Sequence, residues 1–552
     1  MVRQKLAESL QRAVQSAQSD GEIAFTTVPE ILIERPQNSS HGDYASGLAL
    51  RLARSVRMSP LKLADLLVRH LEPLDEIESV TTAAPGFINF TLKREWLAGL
   101  VPEILDSPET YGNIEAGKGG RVQIEFVSAN PTGPLHVGHG RGAVLGSTLA
   151  NVLTAAGFQT QREYYVNDLG NQIRTFGRSL LARYREVLGE PAEVPPDGYH
   201  GAYVVDLARS IVESHGPRFL QMPDDEAVEH LASIGTALVT EGIRRDLAAL
   251  NVEFDEWFSE KSLHDSGEYG RVMSLLREGG YVADRDGAVW FESSLLGEDK
   301  DNVLVRTDGT PTYFASDIAY HYDKFIRRGF DRVIDIWGAD HQGHIPRMKA
   351  VVKTLGKDPD QLTVITCQLV TLRRGNEIVK VSKRSGDVVM LQELVEEVGR
   401  DACRYNFLSR SADSQMDFDI ELAKSQSAEN PVYYVQYAHA RIASILRTAA
   451  EKGIAIETAD TLLLKEEAEL ALIRVLARLP EVVDEVARTL EPHHLPYYAQ
   501  ELATAFHVFY KQCRVLNDDR RVTQARLALV RAAKVVLKRT LDLMGVAAPD
   551  QM

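Results

Sequence analysis

One stretch of this 552-residue chain constrains its fold more than any other. Val122-Gln123-Ile124-Glu125-Phe126-Val127 reads as a buried strand. Ser128-Ala129-Asn130-Pro131-Thr132-Gly133-Pro134 cannot continue it and reads as a tight turn. A helix rich in small residues is predicted from His136 to Leu153, and a second strand from Gln159 to Val166. Strand–helix–strand at this spacing is a βαβ unit, which commits this part of the chain to a parallel, Rossmann-like sheet. The sheet resumes at Arg332–Trp337 and Leu362–Leu369. The long, acidic and mostly helical stretch between, about 178 to 301, is expected to be an insertion within the nucleotide-binding fold.

The flanks have different textures. Helical periodicity runs through Lys5–Ala17 and Tyr44–Arg57, with strand-like stretches at Glu30–Glu34 and Gly86–Leu92. That pattern describes a small α+β unit. Turn residues from Asp106 to Gly120 mark its boundary. After Asn430 the pattern is helical: Val432–Thr448, Lys465–Ala487, Pro496–Val515 and Arg521–Leu543, with apolar residues recurring at three and four. The expected organisation is therefore an N-terminal α+β domain over 1–115 and a Rossmann-like α/β domain over 116–429, whose 370–429 part is a connecting region. An all-α bundle follows over 430–552.

Composition narrows the class. The hydrophobic fraction of 44% and charged fraction of 25% are ordinary for a globular protein and exclude a disordered or collagen-like chain. No window offers the roughly 18 consecutive apolar residues of a membrane helix. Cys367, Cys403 and Cys513 are far apart and form no CxxC, which excludes a Cys-only zinc site and fits a reducing cytoplasm. A formal net charge of −16 means that any nucleic acid must meet local basic surface. One such surface is Lys511–Thr540, with nine Lys/Arg against two Asp/Glu.

Two segments carry chemistry. Pro134-Leu135-His136-Val137-Gly138-His139-Gly140-Arg141 opens the first helix of the sheet. A helix N-terminus there offers backbone N–H groups and a positive dipole end to an anion. His136 and His139, three apart, share a face, and Gly138 and Gly140 leave room for a phosphate or a base. Elsewhere an HxxH pair is usually two surface histidines; here the strand–turn–helix context favours a phosphate site. Far downstream, Lys380-Val381-Ser382-Lys383-Arg384-Ser385-Gly386 suits a mobile anion clamp, although a basic turn of this kind is more often simply solvated.

HVGH after a first Rossmann strand, with KVSK after the last, resembles the two signatures of class I aminoacyl-tRNA synthetases. Val381 stands where that class usually has methionine. Further segments resemble the arginyl-tRNA synthetase family and extend the likeness to nearly the whole chain. They are Glu125–Pro134, Tyr313–Tyr320, Trp337–His344, His41–Ala45, Pro85–Asn89 and Tyr437–Ile442.

The resemblance implies arginine–tRNA ligation from ATP, L-arginine and tRNA-Arg, with Mg2+ accompanying ATP and no structural metal. It assigns catalysis to His136, His139, Lys380 and Lys383. The ATP side comprises Pro131, Gly133, His136, Gly138, His139, Gly338, Asp340, His341, His344 and Lys383. The arginine side comprises Glu125, Ser128, Asn130, Tyr313 and Asp317, with Asn89 reaching in from the N-terminal domain. Arg51, Arg54, Tyr437 and Arg441 are candidates for tRNA contact. The family likeness also implies a monomer in the cytoplasm. Two other readings fit parts of the sequence. Small-molecule nucleotidyltransferases can share an HxGH turn but are much shorter and lack a basic helical bundle. A non-catalytic tRNA-binding paralogue would have no need of an intact HVGH and KVSK.

Overall fold

The structure is a computed structural model that describes residues 1–25, 27–36, 38–375, 377–379, 389–454 and 459–552. At its centre is a five-stranded parallel sheet. Its spatial order is Leu362–Cys367, Arg332–Gly338, Arg121–Glu125, Gln159–Val166, Glu256–Ser259. The chain starts in the middle strand, moves outward through two neighbours, then returns to fill the other side. The strand order therefore reverses beside Arg121–Glu125. In open α/β sheets the crevice at the carboxyl ends of the strands on such a switch point is where ligands sit.

The edge strand Glu256–Ser259 corrects the expectation of an uninterrupted insertion. Helices Asn171–Val187, Ala202–His215 and Asp224–Ala249 form a helical excursion, but the sheet then takes a strand before the chain leaves again. A small antiparallel sheet, Val282–Arg285, Ala288–Phe291 and Asn302–Val305, follows. Four residues, Glu-Trp-Phe-Ser, are too short and too polar at their start to read as a strand without their partner.

The helix Val137–Ala155 lies on the sheet with most of its length buried. Two glycines permit the close approach. A Cβ at Gly146 would fall 2.2 Å from the ring of Phe126, and one at Gly140 would fall 2.6 Å from Leu391 Cδ1. Gly140 therefore makes room for packing against the helices Leu391–Val398 and Arg400–Phe407 and not for a ligand. From the same helix, the fully buried Arg141 donates to the carbonyls of Gln368 (3.0 Å), Ser414 (2.8 Å) and Ser411 (2.7 Å).

The N-terminal domain is a three-stranded antiparallel sheet, with Phe87–Leu92 between Tyr44–Ser46 and Ile77–Ala83, backed by helices. Tyr44–Ser46 is a strand, and the helix expected from Tyr44 begins only at Leu48. Glu30–Glu34 contributes a single bridge, Glu34 to Ala45. In the C-terminal bundle, Lys465–Ala487 divides into Glu467–Leu476 and Leu479–Thr489, with Pro480 in the first turn of the second helix, where proline is tolerated.

Side chains join the three parts. Arg35 donates twice to Glu481 (3.1 and 3.0 Å), and Arg474 donates to Asp43 (2.7 Å). Arg404, wholly buried, donates to the carbonyls of Met544 (2.7 Å), Leu250 (3.0 Å) and Asn251 (3.0 Å), and to Ser147 Oγ (3.2 Å). One guanidinium thus ties together the ends of an insertion helix and of the last bundle helix, and the helix that carries HVGH.

Candidate active site at the carboxyl edge of the sheet

The histidine end of the edge is organised by hydrogen bonds that the chain makes to itself. His136 is the N-cap of its helix: its Nδ1 accepts from Gly138 N–H (3.1 Å), and His139 Nδ1 accepts from His136 N–H (3.2 Å). The N–H of Val137 goes to Val389 O (3.3 Å) and that of His139 to His136 O (3.0 Å). The expectation of free N–H groups at this helix start is therefore corrected, because its first turn is already occupied. With each Nδ1 accepting, each ring in its neutral form carries its proton on Nε2. Burial lowers the pKa of His136. Burial and the neighbouring His136 push His139 down to about 3. The two rings pack 3.8 Å apart. Both shifts favour the neutral ring, which offers a donor and not a cation.

The turn before them is strained. Val127 and Ser128 have φ of 70° and 40°, a region that a β-branched residue rarely enters. Pro131 is buried, and Tyr203 from the insertion donates to Thr132 O (2.8 Å), lying over Gly133. Gly338, Asp340, His341 and His344 are exposed at the neighbouring strand end, and the rings of His341 and His344 lie edge to face at 5.7 Å. Lys380 and Lys383 lie outside the described residues. Met390 and Leu391 lie beside the histidines: His136 bridges Met390, and Leu391 N–H donates to Leu135 O (2.8 Å).

The Glu125 end of the edge is built from buried charge. Glu125 ends the central strand. It accepts from Lys324 Nζ (2.6 Å) and from Ser128 Oγ (2.8 Å), and Ser128 Oγ itself accepts from Tyr165 N–H (3.1 Å). Asn130 is exposed and donates to Gln172 (2.8 Å). Tyr313 opens the helix Tyr313–Tyr322 and is 50% exposed, with Asp317 one turn along. The Asp317 carboxylate has no hydrogen-bond partner among the described residues. Burial, with Glu125 and Asp335 adding, pushes it up to about 6, while His321 and Arg347 oppose the shift. Arg347 stacks on Phe314 at 4.7 Å. Asn89 does not join this group: it lies in the middle strand of the N-terminal sheet, opposite Ala45 and Thr81. No hydrogen bond among the described residues links it to the sheet edge.

The tRNA candidates divide. Arg51 and Arg54 are exposed on Leu48–Val56, with Arg51 donating to Glu30 O (2.7 Å). Tyr437 and Arg441 stack at 4.7 Å on the rim of a cavity of about 1100 Å3 in the bundle, which Arg447, Lys452, Tyr510 and Arg514 also line. Much of the basic C-terminal helix is already paired: Arg526 with Glu469 (2.6 Å) and Lys534 with Asp550 (2.7 Å). Among the described residues one group of three potential metal ligands comes together, Glu491, His493 and His494, in a turn of the bundle.

Three family descriptions match. They are the arginyl tRNA synthetase N terminal domain (2–92), the tRNA synthetases class I (R) catalytic domain (100–195 and 217–442) and the DALR anticodon binding domain (435–552). The arginine–tRNA ligase of Dehalococcoides mccartyi strain CBDB1 is 58% identical over 100% of this chain and 99% of its own length. The chain belongs to the arginyl-tRNA synthetase family. The corresponding ligase of Carboxydothermus hydrogenoformans is 50% identical over 99% of this chain and 98% of its own. Among solved structures, a Campylobacter jejuni protein described as a putative arginyl tRNA synthetase aligns with TM-score 0.76 at 34% identity, over 84% of this chain and all of its own. Thermus thermophilus arginyl-tRNA synthetase shares the fold with TM-score 0.79 at 23% identity, over the whole of both chains.

Within this synthetase fold, two residues that the sequence did not single out lie with Glu125 and Asp317. Glu260 follows the edge strand and is buried. Burial, with Asp317 and Asp168 adding, lifts it to about 7. Lys324 is fully buried. Burial lowers its pKa, but Asp335 and Glu125 outweigh that and hold it above its ordinary value. Neither had a local signal. Each is defined by strand neighbours far away in the chain.

Proposed function

We propose that the reaction of this family runs at the carboxyl edge of the parallel sheet, with the nucleotide on the His136 side and the amino acid on the Glu125–Asp317 side. The chain is a class I arginine–tRNA ligase. It uses ATP to activate L-arginine as arginyl-adenylate and transfers the arginyl group to the 3′ end of tRNA-Arg, releasing pyrophosphate and AMP. The single observation that carries the assignment of sides is the unpartnered Asp317 carboxylate beside exposed Tyr313 and strand-end Glu125. Carboxylates from two directions suit a planar, permanently charged guanidinium. Ser128, Asn130 and Glu260 then flank the backbone end of the amino acid.

The attacking arginine carboxylate is ionised at neutral pH, so the first step needs no general base. The work is positioning and charge stabilisation. The Nε2–H groups of His136 and His139 donate to phosphate oxygens, and Lys380 and Lys383 bring positive charge to the departing pyrophosphate. Gly338, Asp340, His341 and His344 take the adenosine side. The donor set around His136 is imidazole and backbone, which does not by itself make a magnesium site; Mg2+ enters on the oxygens of ATP. Tyr437 and Arg441 stack on unpaired anticodon bases, and Arg51 and Arg54 contact tRNA phosphates. The chain acts as a cytoplasmic monomer, and no helix among the described residues is long and apolar enough to cross a membrane.

The test is arginine-dependent ATP–pyrophosphate exchange with and without tRNA-Arg, with lysine and glutamate as controls. Exchange with arginine alone, and only in the presence of tRNA, is the expected result. Exchange supported by lysine would end the assignment of the amino-acid side.

A further inference from the structure

Three carboxylates stand in one row beneath the amino-acid side. Asp335, Glu125 and Glu163 are direct neighbours across the three central strands, with Asp335 opposite Glu125 and Glu125 opposite Glu163. All three are buried. Two cations answer them, both from the π-helical turn Asp323–Arg327 and the residue after it, which continue the helix carrying Tyr313 and Asp317. Lys324 Nζ donates to Glu125 (2.6 Å) and Asp335 (2.9 Å) and lies 4.2 Å from the ring centroid of Tyr320. Arg328 makes a bidentate pair with Glu163, and Tyr320 Oη donates to the same carboxylate. A second link ties helix to strand. The ring of His321 bridges the Asp317 carbonyl (2.8 Å) and Asp335 Oδ2 (3.1 Å).

The row sets three carboxylates against two cations, one of which, Arg328, is shared with a fourth buried carboxylate, Asp323 (2.6 Å), and the unpartnered Asp317 lies beside it. The site is short of positive charge, which a guanidinium supplies. The wide turn matters because it swings Lys324 under the sheet edge, while Asp317, two turns earlier, stays at the rim. Glu125 has one oxygen on Lys324 and the other on Ser128, so its plane is set before any substrate arrives.

We infer that Lys324 is a positioning residue for arginine recognition: its buried ammonium fixes Glu125 at the strand end and locks that strand to the helix bearing Tyr313 and Asp317. This rests on the reading of Glu125 as a guanidinium ligand. Lys324 never touches substrate. It keeps the two substrate carboxylates at a fixed separation and prevents Glu125 and Asp335 from sharing a proton, which two adjacent buried carboxylates otherwise do.

The test uses the full chain with tRNA-Arg and measures KM for arginine and for ATP by pyrophosphate exchange, together with Tm. Three variants are compared: E125Q, K324M and K324M/D335N. The double variant removes one charge of each sign, so the net charge of the row is unchanged and the fold is not left with an uncompensated carboxylate. The expected result is an arginine KM raised at least 10-fold in E125Q and K324M, with ATP KM within 2-fold of wild type. K324M/D335N is expected to recover Tm while its arginine KM stays raised at least 5-fold. Recovery of both Tm and arginine KM in the double variant would reduce Lys324 to a charge-balancing residue and overturn the inference. A silent E125Q would overturn the reading of Glu125 itself. A defective E125Q beside a silent double variant would remove Lys324 alone.

Discussion

The two halves of the catalytic edge are prepared in opposite ways. At the histidine end, the two imidazoles are engaged by the chain itself: each Nδ1 accepts a backbone N–H of the helix start, and each ring keeps one N–H to give. At the Glu125–Asp317 end the groups are carboxylates: Glu125 and Glu260 are buried, and Asp317 is half-buried with no hydrogen-bond partner among the described residues, with Glu260 and Asp317 lifted towards neutrality. The difference follows the substrates. On the proposed assignment, a triphosphate arrives with its own counter-ion and needs orientation, whereas arginine arrives as a cation and needs an anionic excess held open for it. A neutral donor array costs little to keep without its ligand, whereas unmatched buried carboxylates cost stability until the ligand comes.

The largest effect that can break this contrast is Asp317→Ala. Losing a charge-assisted pair of about 2–4 kcal/mol is expected to lower kcat/KM for arginine by about 30- to 1000-fold, with ATP KM almost unchanged. Equal changes for both substrates would erase the distinction between the halves. Next in size is His139→Ala, for which kcat is expected to fall about 100-fold through loss of the Nε2 donor. Thermal unfolding should register about 1 kcal/mol for the lost cap.

The halves should also differ in pH dependence. Asp317 has a raised pKa in the free enzyme, and a guanidinium binds its ionised form. Arginine kcat/KM is therefore full above about 7 and declines as pH falls through about 6. His139 is pushed down to about 3 and stays neutral over the same range, and His136 is shifted in the same direction. A kcat–pH profile at saturating substrates should then show no ionisation near 6.5 assignable to His136 or His139, and one that disappears in His139→Asn would contradict neutral donors. The smallest effects separate packing from ligand space. Gly140→Ala meets Leu391 and Phe407 and is expected to cost about 1–3 kcal/mol in denaturant unfolding. Gly142→Ala, with nothing within 4 Å of its Cβ, should be neutral or stabilising by up to about 1 kcal/mol.

Much of this was legible in the chain. The first βαβ unit, the histidine segment, the strand at Arg332 and the all-helical end are local patterns, and local patterns survive in sequence. The carboxylate row was not legible, because register alone makes Glu125, Glu163 and Asp335 neighbours and the last lies 210 positions from the first. Lys324 falls on a π-helical turn that has no periodicity signature. The strand Glu256–Ser259 is too short to declare itself. The helix start misled for a different reason: the rule that its first N–H groups are free assumes that no side chain turns back to take them, and His136 does so.

Arg404 changes what the three parts of the chain can be called. A sequence divided at residue 429 looks like a catalytic unit followed by a separable module. Yet the last helix of that module supplies, through the Met544 carbonyl, an acceptor for a wholly buried guanidinium in the catalytic half. Cutting the chain at the boundary would strand that cation, with burial already holding its pKa down at about 9 and no carboxylate among its hydrogen-bond acceptors. The catalytic half on its own would be an incomplete solute. Its folding free energy is partly stored in a helix that begins at residue 520, so the division seen along the sequence is not a division in cooperativity.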